Sequence, residues 1–143
     1  MKLFIRTLYY TLLTAFVLGL GTYLQACKKD KPKPQPGEQV LRVSLEPEPS
    51  SSTTPVVSAA ANYSFRVKVE SQMPSQGVTV DVVYRQDSGG EVLFSETYTT
   101  TTSPQNVTIT NLPFNEVGTV TVVVTSKTQS SNTQTKTFKL VKK

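Results

Sequence analysis

Histidine and tryptophan are absent from the 143 residues, and cysteine occurs once. Without histidine there is no imidazole general base, no Ser–His or Cys–His nucleophile pair, and no His-containing zinc site. A single cysteine excludes an intramolecular disulfide and any thiolate cluster holding a metal. The absence of tryptophan removes the strongest stacking group for a sugar ring. No Ser-x-x-Lys, Gly-x-Ser-x-Gly or phosphate-cradling glycine loop occurs. The chain therefore points to no catalytic residue, no metal and no cofactor.

Charged residues make up only 17% of the chain, and the formal net charge of +5 is unevenly placed. Lys2 and Arg6 give residues 1–26 a balance of +2. Lys28, Lys29, Lys31 and Lys33 against Asp30 give residues 27–37 a balance of +3. Residues 38–143 hold nine cations and nine anions. A nucleic-acid binder needs a basic face on its folded part to neutralise phosphates. Here the basic charge is confined to the N-terminal arm, so nucleic acid is not an expected partner.

That arm reads as an address. Met1–Arg6 carries two positive charges, and Leu8–Leu20 is an apolar run broken only by Thr11, Thr14 and Gly19. A charged start followed by an apolar stretch of this length has the form of a secretory signal helix. The run ends in Leu24-Gln25-Ala26-Cys27. An aliphatic residue three before the cysteine and a small residue just before it resemble the lipobox of bacterial lipoproteins. The resemblance implies cleavage of residues 1–26 and acylation of Cys27, which becomes the first residue of the mature chain. Acyl chains on Cys27 would hold the protein to a membrane, each buried methylene contributing about 0.8 kcal/mol. By the same resemblance, Lys28 and not an aspartate after the cysteine implies an outer-membrane destination within the cell envelope. Two alternatives stay open: a plain cleaved signal, and an uncleaved span from Leu3 to Leu24, although Arg6 shortens its apolar part.

Residues 27–38 form the expected lipidated cysteine and tether. Pro32, Pro34 and Pro36 alternate with polar residues and favour extended polyproline geometry. Eleven residues at about 3.1 Å each span roughly 35 Å, a stand-off spacer.

From residue 39 onward the pattern changes to period two, the signature of half-buried strands. Leu41, Val43 and Leu45 alternate with polar residues, as do Tyr63, Phe65, Val67 and Val69. The same alternation runs through Val78–Tyr84, Val107–Ile109, Val120–Val124 and Phe138–Leu140, and more weakly through Glu91–Thr99. No segment after residue 27 carries sustained i, i+3, i+4 spacing. The breaks hold turn residues: Met73–Gly77, Asp87-Ser88-Gly89-Gly90 and Ser130–Asn132. Glu46–Asn62 is a long Pro-, Ser- and Ala-rich connection within which Pro55-Val56-Val57 is a candidate short edge strand.

Seven short strands with one-sided alternation predict an all-β fold, a seven-stranded antiparallel sandwich over residues 39–143. The run Ile109-Thr110-Asn111-Leu112-Pro113, followed by Gly118-Thr119-Val120-Thr121-Val122, resembles the E–F corner of bacterial Ig-like and fibronectin type III-like domains. The antibody-type cysteine pair, buried tryptophan and tyrosine corner are missing. A small β-barrel built from the same strands is the competing architecture.

Two features are candidate binding surfaces. Val83 and Val123 take the outward parity of the third and sixth predicted strands, which neighbour each other in an Ig-like sandwich. Flanked by Thr79 and Thr121, they form a candidate contact face for an envelope protein partner. Tyr98 and Phe114 are the aromatics least committed to the core, and so the candidates for stacking on carbohydrate. The acids Asp81, Glu96 and Glu116 matter for catalysis only if the fold brings them together in a cleft. The expected function is a non-enzymatic, lipid-anchored envelope protein presenting its domain for protein contact. A carbohydrate-binding or uptake accessory module of the outer membrane is the alternative.

Overall fold

Branched apolar residues at every second position favour extended backbone, because their stiff side chains pack well on a pleated surface. In the computed structural model, which describes residues 37–143, eight strands follow: β1 (Val43–Glu46), β2 (Val56–Ser58), β3 (Tyr63–Val69), β4 (Val78–Gln86), β5 (Val92–Thr100), β6 (Gln105–Ile109), β7 (Val117–Ser126) and β8 (Thr133–Lys142). No helix occurs among the described residues. The expected signal helix, Cys27 and the expected tether as far as residue 36 lie outside them.

The strands form two sheets. One has the order β1-β3-β6 and the other β2-β8-β7-β4-β5. The inward side chains of both sheets meet in one core. Val43, Leu45, Phe65, Val67, Val107 and Ile109 come from the smaller sheet. Val78, Val80, Val82 and Tyr84 of β4, Val120, Val122 and Val124 of β7, and Phe138 and Leu140 of β8 come from the larger. Phe65 meets Phe138 edge-on across the interface with ring centroids 5.5 Å apart, the arrangement aromatic quadrupoles prefer. This two-layer β arrangement is consistent with an Ig-like sandwich.

The structure corrects the expected strand set in two respects. There are eight strands, not seven, because Val56–Ser58 is a strand in its own right. Three residues are too few to display an alternation. Nor is the sandwich wholly antiparallel: β2 pairs with β8 in parallel, Val56 opposite Leu140 and Ser58 opposite Lys142. The chain leaves the smaller sheet after β1 and joins the larger at β2, so one polypeptide segment closes an edge of each.

Glycine is required at two close approaches. Gly77 has φ +77°, and a Cβ there would lie 2.3 Å from the carbonyl oxygen of Thr100. A Cβ on Gly118 would lie 2.4 Å from Cε2 of Tyr84 and 2.7 Å from the carbonyl oxygen of Arg85. Gly118 thus makes the space that the buried Tyr84 ring fills. The segment entering β1 is fastened to the β7–β8 turn by Asn132. Its Nδ2 donates to Glu38 Oε1 at 2.6 Å and to the Gln39 carbonyl at 3.0 Å, and its Oδ1 accepts from the Leu41 amide at 2.9 Å.

Candidate functional site

The register of the larger sheet decides which side chains share its outer face. Across β8, β7, β4 and β5 the first row is Thr133, Thr125, Thr79 and Thr99. The next is Thr135, Val123, Asp81 and Thr97, and the third is Thr137, Thr121, Val83 and Ser95. Lys139, Thr119, Arg85 and Val92 complete the set. Threonine holds nine of these sixteen places and valine three. The four residues Val83, Val123, Thr79 and Thr121 all lie on this face. Val83 sits opposite Thr121 and Val123 opposite Asp81, so the two valines are diagonal neighbours. Cross-strand diagonals of this kind are about 7–8 Å apart. All four side chains are half-buried by those around them.

The face is low in charge, and part of it is tied by hydrogen bonds. Thr125 and Thr133 join hydroxyl to hydroxyl at 3.0 Å. Thr97 donates to Asp81 Oδ1 at 2.5 Å. At one end Lys139 Nζ lies 2.7 Å from Asp87 Oδ2, and Thr119 donates to Asp87 Oδ1 at 2.7 Å. The hydrogen bonds from Lys139 and then Thr119 hold the Asp87 carboxyl below the usual carboxylate range. Asp87 therefore belongs to a fastened hairpin end, in which the Gln86 amide donates to the Glu91 carbonyl at 2.8 Å and Gly90 takes φ +70°.

The acids Asp81, Glu96 and Glu116 do not converge. Asp81 pairs with Thr97 on the outer face, whereas Glu96 pairs with Val82 on the opposite parity. Glu116 accepts from Gln86 Nε2 beyond the start of β7. Among the described residues no group of three acids, histidines or cysteines is placed to hold a metal ion.

The two candidate stacking aromatics lie far apart. Phe114 is 71% exposed and bridges to Lys142 at the end of β8. Tyr98 stands in the row of Val80, Val124 and Gln134. Eight residues of β8 separate the two rows, about 26 Å at strand rise, so no single platform joins them. Tyr98 is half-buried against the core and its hydroxyl donates to Glu96 Oε2. Burial first, then the Glu96 hydrogen bond and charge, push the Tyr98 phenol up to about 12.

The continuous threonine row and the Asp87–Thr119–Lys139 cluster escape a reading of the sequence. The alternating Thr133, Thr135 and Thr137 are visible as a polar parity. Their alignment with Thr125, Thr79 and Thr99 depends on pairing between strands distant in the chain. No protein-family model matches the chain, and no curated protein matches its sequence.

Proposed function

We propose that this protein is a lipid-anchored component of a bacterial cell envelope whose Ig-like domain makes contact with another envelope protein. The observation that carries the contact role is the outer face of the larger sheet. Threonine and valine lose little rotamer freedom on docking, so a surface built from them is ordered beforehand. Hydroxyls at regular spacing offer hydrogen bonds without the desolvation cost of a charge. Four strands and four rows cover roughly 20 by 27 Å, about 500 Å². That is below the roughly 800 Å² per partner of a standard stable interface, and suits a transient contact or one that extends beyond the face.

Attachment rests on the lipobox resemblance at Cys27, with residues 28–38 as the spacer. Intact-mass spectrometry of the membrane fraction tests it: the expected mature chain starts at an acylated Cys27, and an unmodified start overturns the anchor. Capture of envelope proteins by the full chain tests the contact role. Val83→Lys with Val123→Lys is expected to abolish capture of a specific partner while the thermal transition is kept. Capture unchanged by the pair would remove this face as the contact surface.

A further inference from the structure

The two sheets have four edge strands among the described residues, and they differ sharply in length. β1, β2 and β6 are four, three and five residues long, whereas β5 has nine. Natural sheets guard their edges with short strands, prolines, lysines or bulges. β5 contains no proline and no cation. Its one irregularity lies at the start, where the register shifts between Tyr84 and Arg85. From Phe94 to Thr100 the pairing with β4 is unbroken, and no described strand runs along the other side.

The charge of this edge selects what can join it. Glu96 takes the inward parity, yet it is exposed, standing on the edge strand of the larger sheet. Glu91 precedes the strand, and neither carboxylate is paired with a cation among the described residues. Two copies joined through β5 would bring four carboxylates to one seam with no cation between them, so self-pairing is disfavoured. An incoming strand bearing a cation meets the opposite situation. The Glu96 carboxylate is already oriented by the Tyr98 hydroxyl. The Tyr98 ring beside it gives the methylene stem of a lysine or arginine an apolar surface.

We propose that the free edge of β5 accepts an added β-strand from a protein partner, and that this strand carries a lysine or arginine opposite Glu96. Main-chain hydrogen bonds supply the attachment and the central cation supplies the selectivity. The inference rests on the protein-contact reading above, but not on the anchor at Cys27 or on the threonine face.

The test uses the full chain, isotope-labelled and held in mild detergent. The probes are two end-capped peptides, Ser-Thr-Val-Thr-Lys-Thr-Val-Thr-Ser and its counterpart with glutamate at the centre. The lysine peptide is expected to shift the amide resonances of Ser95–Thr99 and slow the hydrogen exchange of those amides that point away from β4. The glutamate peptide should bind about fivefold more weakly, the effect of one exposed charge pair. Glu96→Lys should reverse that order, with unchanged β7 resonances reporting an intact fold. Equal binding of both peptides, or no binding, overturns the proposal. So does protection, in the chain alone, of the β5 amides that point away from β4, which at all concentrations means its own residues cover the edge and with rising concentration means a second copy. Shifts confined to Thr121 and Val123 would also overturn it, while leaving the contact reading standing on the outer face.

Discussion

Gly118 governs the packing of the largest side chain in the core. Its missing methyl is the space in which Tyr84, 1% exposed, keeps its ring. Gly118→Ala places a carbon against both that ring and the Arg85 backbone. Only the ring has freedom to yield, and the core around it is full. The expected cost is about 1–3 kcal/mol, toward the upper figure, read as a lower urea midpoint with an unchanged slope. Tyr98 offers a second test at a single side chain. One tyrosine should titrate near pH 12 by ultraviolet absorbance, and Glu96→Gln should lower it part of the way to the usual value. Only part returns, since burial is the larger cause. A raised phenol stabilises the fold below the ordinary tyrosine pKa and ceases to do so as pH climbs through the folded value.

Among the elements, the hairpins carry fastenings that the strand pattern does not reveal. Asn132 satisfies three groups of the segment entering β1. Asn132→Ala is expected to cost about 1–3 kcal/mol by leaving those groups without partners, and Asn132→Asp to cost more by facing Glu38 with a second carboxylate. Urea unfolding of both variants checks the order. At the β4–β5 turn, Asp87 has a depressed folded pKa, so its stabilisation is present above the unfolded carboxylate value. It is lost as acidity carries the pH down through the folded value, below the usual carboxylate range. Asp87→Asn should flatten the acid limb of a melting-temperature profile, leaving the part that Glu70 adds with the same sign. The strands were legible in proportion to their burial on one face. β4 and β7 alternate buried and half-buried along almost their whole length, and their pattern is plain. β5 reads weakly because, as an edge strand, it keeps the exposed Glu96 at an inward position. β2 shows no alternation and was legible only as the candidate edge strand at Pro55-Val56-Val57; its parallel pairing depends on the distant partner β8.

For the whole molecule, one core carries both sheets, and Phe65 and Phe138 tie them together. Phe65→Ala should cost about 3–5 kcal/mol, a large share of the 5–15 kcal/mol that holds a domain of this size. Calorimetry should show a single transition at lower temperature, and an unchanged midpoint would mean that the aromatic contact does not join the layers. The all-β class could be read from alternation alone, and so could the outward placing of Val83 and Val123. The threonine rows could not, because Thr79, Thr99, Thr125 and Thr133 meet only through pairings between strands remote in sequence. The separation of Tyr98 from Phe114 was equally hidden, since it is a distance measured along β8. The switch of the chain between sheets has a mechanical meaning. β2 runs parallel to β8, and the chain enters the first from one end and leaves the second at the other. A pull from the N-terminal side meets β1 and its antiparallel pairing with β3 first; only once β1 is drawn off does it slide β2 along β8 against their slanted hydrogen bonds.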